Sequence, residues 1–400
     1  MNRSRWAIGL SIGLLIAGLV PARAAESEAK NLKLLDKVEF TGGTELAAAG
    51  DYIYAGELNG TTKRNEDPEK GGMHIFDVSG RTPREVGFFS CPGNDNDVEV
   101  VRPGLVVMGH HTATCNVPEE GESAAGFVLI DVRNPAKPRQ IGSINLPSGT
   151  QSHTVKPYPG TNYIYVNPGG LPSNGGMKTH IVDISNPKKP EVKATYVPTG
   201  SSTGCHDFSF HLSKKAKLGF CAGYGGFGIW DVSNPLEPKV ISTIRNPQIQ
   251  FNHFAVPSYD GKLLAIDDEA FALHTCKGTP SPTGRAWIYD ISDPASPKLQ
   301  SSITPPRGGD ATGVGTYPGW TSSWCLSHGL DWQPGTHNLA ITWFTGGVSV
   351  HNLDEATAPK EVAYFQAADS NTYSALWHQG RLFTNDMKRG LDVFAVKLGR

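Results

Sequence analysis

The stretch HIVDISNPKKP, residues 180–190, is an apolar run that closes on Asp183 and passes into a Ser-Asn-Pro turn. It is one of a series. HIFDVSGRTP (74–83), VLIDVRNPAKP (128–138), GIWDVSNPLEP (228–238), WIYDISDPASP (287–297) and the weaker SVHNLDEATAP (349–359) repeat it. The anchoring residues are Asp77, Asp131, Asp183, Asp231, Asp290 and Asn352, with Ala395 of LDVFAV as a seventh. Their spacings are 54, 52, 48, 59, 62 and 43 residues. A period of about fifty residues, made only of short strands and turns, is that of a β-propeller blade. The count predicts an all-β chain of seven blades.

Each unit reads as an inner strand, a second strand, a variable loop, a third strand ending on the anchor, and a fourth after Asn-Pro. In the third unit the first two are HTVKPY and NYIYVN. The anchoring carboxylate is suited to accept hydrogen bonds from N–H groups two residues on, while the proline presets the turn. These aspartates therefore read as structural. The last unit lacks a fourth strand, and residues 33–40 at the other end of the chain supply one. The expected domain is 33–400, a ring closed by its N-terminal strand so that no sheet edge is left open.

The strands VLIDV and HIVDI followed by SNPxxP resemble the LVIVD-repeat proteins, secreted bacterial β-propellers, over roughly residues 33–397. The resemblance implies fold and export. It supplies no catalytic residues to carry over.

Residues 1–24 carry Arg3 and Arg5, an apolar run from Trp6 to Val20, and the small-residue pattern Ala22-Arg23-Ala24. This reads as a cleavable secretory signal peptide, with residues 25–32 as linker and a periplasmic or secreted destination. No later segment is apolar enough to span a bilayer. The 46 glycines and 29 prolines fit a turn-rich fold, and a net charge of −2 without a basic stripe argues against nucleic acid. Oligomeric state is not readable. Six cysteines in an exported chain point to disulfides, and their places in the hairpins pair Cys91 with Cys115, Cys205 with Cys221 and Cys276 with Cys325. A thiolate ligand from Cys205 or Cys325 is the weaker alternative in an exported chain.

The uniform Asn-Pro turns occupy one rim and the long, varied loops the other, so function is expected on the loop rim. Aligning the inner strands puts His153, His206, His253 and His328 at one structural position in four consecutive blades. Asp97, Glu45 (or Thr44) and Tyr373 fall there in blades two, one and seven. Imidazole is the commonest transition-metal ligand, so the ring predicts one metal ion on the axis: copper or iron favoured, zinc or manganese also compatible. Asp97, Glu45, His110, His111 and Tyr373 are the candidate acid–base or substrate-contacting groups. Asp97, Asp207 and Asp331 are the expected second-shell partners of the imidazoles. Tyr224, Phe227, Phe271, Tyr317, Trp320 and Trp324 are the aromatics of the loop rim.

These residues predict a metal-dependent enzyme, an oxidase or oxygenase, acting on a small organic substrate. Two other readings share the features. One is a metal-dependent lyase or hydrolase on a carbohydrate-like substrate; the other is a non-catalytic propeller that binds protein or glycan through its rim. The Gly-rich GYGGFG at 223–228 lies between strands with no helix after it, which argues against a nucleotide site.

Overall fold

The computed structural model describes residues 27–58, 71–94, 97–113, 115, 124–146, 152–168, 178–196, 204–223, 225–269, 284–305, 307 and 325–398. All regular structure among them is strand, arranged as seven sheets. The inner strands are Gly43–Ala49, Asp97–Arg102, Thr154–Pro157, Asp207–Leu212, Asn252–Pro257, Leu330–Trp332 and Thr372–His378, in blade order. Each sheet is an antiparallel meander outward from its inner strand. This is the expected seven-bladed propeller.

The apolar third strands run through the middle of each sheet. Thr179–Asp183 is buried at every position but its terminal aspartate, as is Ala286–Asp290, because both faces are covered by neighbouring blades. Outer strands such as Glu191–Tyr196 and Lys239–Ile244 keep a largely exposed face. An apolar cluster fills each of the seven gaps between adjacent blades. The same register shift recurs where third and fourth strands pair, for instance between Leu129 and Ile130, Ile181 and Val182, and Ile229 and Trp230. A bulge there adds the twist that lets sheets pack radially.

The anchoring aspartates do what the turn chemistry predicts. Asp183 Oδ1 accepts the Ser185 N–H at 2.7 Å and its hydroxyl at 2.6 Å, and Asp231 and Asp290 accept Ser233 and Ser292 N–H at 2.9 and 2.8 Å. Ser79 likewise holds the Asp77 carboxyl down at about 2. The turns also wedge between blades, which the sequence reading did not foresee. A Cβ on Gly142, in the outer strand of blade two, would lie 1.7 Å from Pro187 O in the turn of blade three. Gly87 is in the same relation to Pro135, at 2.0 Å. Where blades four and five use serine instead, its hydroxyl donates to the turn: Ser242 to Pro294 O and Ser301 to Ala356 O.

Ring closure uses more of the N-terminal segment than expected. Leu32–Val38 pairs with Gly390–Val396 as the fourth strand of blade seven. Within the segment read as linker, Glu28–Lys30 pairs with Lys360–Gln366 as a fifth strand on blade six. One short stretch thus covers the outer edges of two blades. Leu32 anchors it, 4% exposed among Val348, Phe365 and Phe394.

Cys91–Cys115 and Cys205–Cys221 are disulfides. Cys325 is disulfide-bonded as well, and its expected partner Cys276 lies outside the described residues. No described residue forms a helix long and apolar enough to cross a membrane.

Candidate metal centre

The inner strands begin at the loop rim, and the four histidines stand at or just before their first residues. Their rings follow one another around the axis. Centroid separations are 4.0 Å for His153–His206, 4.5 Å for His206–His253 and 4.3 Å for His253–His328. Tyr373 continues the series, its ring 3.9 Å from that of His328. The arc spans blades three to seven.

The ligand atoms form two overlapping sets rather than one four-histidine cluster. One nitrogen each from His153, His206 and His253 lie within 4.8 Å of one another, and so do ligand atoms of His253, Glu269 and His328. Among the described residues no such set contains both His153 and His328. Four consecutive blades out of seven take up about half the circle, so neighbours on the arc touch while its ends diverge. His253 belongs to both sets.

The orientation of two imidazoles is fixed by main-chain oxygens. His253 Nδ1 lies 3.2 Å from His328 O, and His328 Nδ1 lies 3.0 Å from Tyr373 O. A carbonyl can only accept, so each Nδ1 carries the proton and donates it to the next blade. The Nε2 atoms face Glu269, with His253 Nε2 3.4 Å from Oε2 and His328 Nε2 3.7 Å from Oε1. Burial, reinforced by His328 and His153, holds the His253 pKa well below the ordinary histidine value, so this ring is neutral. A neutral ring protonated on Nδ1 presents a bare lone pair to a carboxylate oxygen.

Glu269 was missed by the sequence reading. It ends DDE (267–269), where blade five's second strand meets the rim, while the corresponding strands of blades three and six end on Asn167 and Thr342. The signal was three acids closing an apolar strand. Asp267 Oδ1 accepts the Phe254 N–H, and Asp268 accepts Phe251 N–H at 2.9 Å and Gly284 N–H at 3.1 Å. Only the third acid faces both imidazoles.

His253 Nδ1 has both a carbonyl and a carboxylate neighbour, His328 O at 3.2 Å and Asp267 Oδ2 at 3.4 Å, while two of the expected second-shell aspartates bond elsewhere. Asp97 Oδ2 accepts the Val155 N–H at 2.6 Å and Asp331 Oδ2 the Trp377 N–H at 2.7 Å, so both tie adjacent inner strands together. Asp97 therefore lies deeper than the imidazoles, near Glu99, Lys156 and Asp207. Lys156 is ion-paired with Glu99, giving the channel a charged layer under the histidines. Burial raises Asp207 to about 6 and Asp331 to about 7. Glu45 is half-buried on Gly43–Ala49 and joins neither ligand set. His110 is fully buried in Leu105–Ala113 and also stands outside both. The side chain of His111 lies outside the described residues. Of the rim aromatics, Phe227 is core, 1% exposed, while Tyr224, Phe271, Tyr317, Trp320 and Trp324 lie outside the described residues.

Aromatic rings back the arc. Phe251 stands 4.7 Å from His206, Phe254 4.3 Å from His253 and Phe344 4.8 Å from His328, each edge to face. Phe344 takes φ 46° and bridges to Thr372, which pins blade six to blade seven beside Tyr373. A strained residue held against a functional side chain is a common use of backbone strain.

The molecule is thus a seven-bladed β-propeller whose axis carries imidazole and carboxylate groups able to hold a metal ion. The chain carries LVIVD repeats, matched at residues 162–197 and 287–304. Among solved structures it resembles the β-propeller domain of Cps50 (Swd1) from Myceliophteria thermophila at 10% identity, TM-score 0.59, covering 92% of this chain and all of that one. A functionally unknown protein from Desulfotomaculum acetoxidans DSM 771 is similar at 11% identity, TM-score 0.55, over 82% of this chain and 87% of that one. Sqt1 of Saccharomyces cerevisiae matches at 8% identity, TM-score 0.53, over 94% and 90%. At these identities the likeness establishes the fold alone. No curated protein matches the sequence.

Proposed function

We propose that the protein is an exported metal-dependent oxidoreductase acting on a small organic substrate at the loop-side mouth of the channel. The observation that carries this reading is the convergence of ligand atoms on the axis, His253 with Glu269 and His328 on one side and with His153 and His206 on the other, each set within 4.8 Å. Imidazole nitrogens and a carboxylate this close, with His253 Nε2 3.4 Å and His328 Nε2 3.7 Å from Glu269, are the donor types a transition-metal ion takes. Main-chain acceptors on the opposite nitrogens are what metal-binding histidines ordinarily have.

The residues suit the metals of oxygen chemistry. His253, His328 and Glu269 compose a two-histidine, one-carboxylate set, the donor set of many non-haem iron oxygenases. His153, His206 and His253 compose an all-imidazole set that copper accepts readily. Bound there, such an ion would supply one-electron chemistry and open positions for oxygen or substrate. The chain's own contribution is to orient the donors, exclude water with Phe251, Phe254 and Phe344, and place the Tyr373 phenol beside His328. Disulfides at the rim accord with an oxidising compartment.

A second reading rests on Tyr373 and Glu269. With zinc or manganese as Lewis acid, those two groups are placed as an acid–base pair for lyase or hydrolase chemistry. Metal analysis of protein isolated from its own compartment, followed by oxygen-uptake measurements on small phenols, thiols and alcohols, decides. Copper or iron near one equivalent with oxygen consumption supports the oxidoreductase. Zinc or manganese without oxygen uptake supports the second reading. Failure to retain any of the four metals after reconstitution refutes both.

A further inference from the structure

We propose that the arc offers two alternative positions for a single metal ion, sharing His253, and that the identity of the metal selects between them. The proposal rests on the metal-site reading above and adds to it.

The geometry argues against one ion held by every donor. Bonds of about 2.0–2.1 Å bring tetrahedral ligand atoms to roughly 3.3 Å apart, and no two ligands of one ion exceed about 4.2 Å. Each three-member set, within 4.8 Å, reaches that range by small side-chain shifts. His153 and His328 are together in neither set, so an ion that takes both must pull the two ends of the arc inward. Their inner strands are fixed by adjacent blades, and Gly329 is packed against Thr342 and Ser374, so the ends have little freedom to close.

Two ions at once are also disfavoured. His253 can reach both sets only through Nε2, because its Nδ1–H is committed to His328 O. One lone pair binds one ion. The shared histidine therefore acts as a pivot. On one side the ion has His153 and His206, two more neutral imidazoles. On the other it has Glu269 and His328, an imidazole and an anionic oxygen donor.

Donor chemistry then sorts the metals. Copper and zinc favour nitrogen, and the all-imidazole side suits them. Manganese and ferrous iron gain more from a carboxylate, and the Glu269 side suits them. Replacing one set's donor should thus weaken one class of metal and spare the other.

The test uses Cu(II), Zn(II), Mn(II) and anaerobic Fe(II) binding to the full chain and to three variants, with dissociation constants from competition titration. Glu269→Gln should weaken Mn(II) and Fe(II) by roughly tenfold or more, the loss seen even for outer-sphere partners of metal ligands, and leave Cu(II) within about threefold. His153→Gln should do the reverse. His253→Ala should weaken all four. Cu(II) spectra should show three coupled imidazole nitrogens in the Glu269→Gln variant as in the parent. His328→Gln repeats the carboxylate-side measurement if Glu269→Gln does not fold. If Glu269→Gln and His153→Gln weaken every metal alike, one ion is held by the whole arc and the two-position proposal is overturned while the metal site stands. If His253→Ala leaves all four affinities unchanged, the metal site itself is refuted.

Discussion

His351 makes stability depend on pH in a way that can be worked out beforehand. It lies on Val348–Asn352 in blade six, 5% exposed, with Nε2 2.9 Å from Ser349 Oγ. Trp343 Nε1 donates to the same Oγ at 2.7 Å, and the serine hydroxyl keeps its own proton free to donate to a neutral His351 Nε2. Burial lowers the folded-state pKa from 6.5 to about 4, chiefly by desolvating the charged form. The folded state favours the neutral ring, so the contribution is complete above the unfolded value of 6.5 and is lost as pH falls toward 4. At 1.36 kcal/mol per pH unit the whole difference is about 3 kcal/mol, of which about 2 kcal/mol is gone by pH 5. Other buried groups titrate in the same range, so the measurement is a difference. Urea midpoints of the parent and of His351→Gln are compared between about pH 7 and pH 5 at equal m-value. The parent should lose about 2 kcal/mol more than the variant. Parallel losses would mean that His351 is protonated in the fold and that the Trp343–Ser349–His351 chain is not what holds it.

Gly142→Ala should destabilise by about 2 kcal/mol or more, since the new Cβ meets a main-chain oxygen that cannot step aside; an unchanged urea midpoint would show that the Asn-Pro turns do not wedge the blades. Leu32→Ala should cost about 2–5 kcal/mol as a buried leucine at the closure, whereas deletion through Lys30, which removes only the exposed fifth strand of blade six, should cost under about 1 kcal/mol. Equal thermal-shift losses for those two changes would place the closure elsewhere. Cys205→Ser with Cys221→Ser should lose about 3 kcal/mol by loop-entropy reckoning for a separation of 16 residues. Because Cys205 adjoins His206, the same variant should also weaken copper binding, and retained affinity would show that the inner strand alone positions the imidazole.

The blade register was legible because a turn has strict chemistry: Asp, two residues, then Asn-Pro can be counted. The axial histidines were legible for a related reason, since every inner strand starts at the same rim and one alignment position maps to one place on the axis. Distances were less legible: the ligand atoms that lie within 4.8 Å of one another form two sets of three that meet at His253. Asp97 and Asp331 bond N–H groups of the neighbouring inner strand, while Asp267 and main-chain carbonyls, the latter leaving no mark in a sequence, stand at the imidazole nitrogens. Glu269 was visible as a residue but not as a ligand. It stands outside the inner strands, and nothing in DDE tells which of three adjacent acids turns toward the axis.

The N-terminal stretch that covers two blade edges sets an order in time. Leu32 pairs with Val396, so its partner is made some 364 residues later. At synthesis rates of about 5–20 residues per second, the closing strand waits on the order of tens of seconds without a partner. Blades six and seven, when they are made, both depend for their outermost strands on the same eleven residues, Glu28 to Val38. Closure is therefore a race between the chain's own first strand and any foreign strand that finds either edge. A synthetic peptide copying that segment should win some of those races, trapping open rings during refolding while leaving the finished propeller untouched.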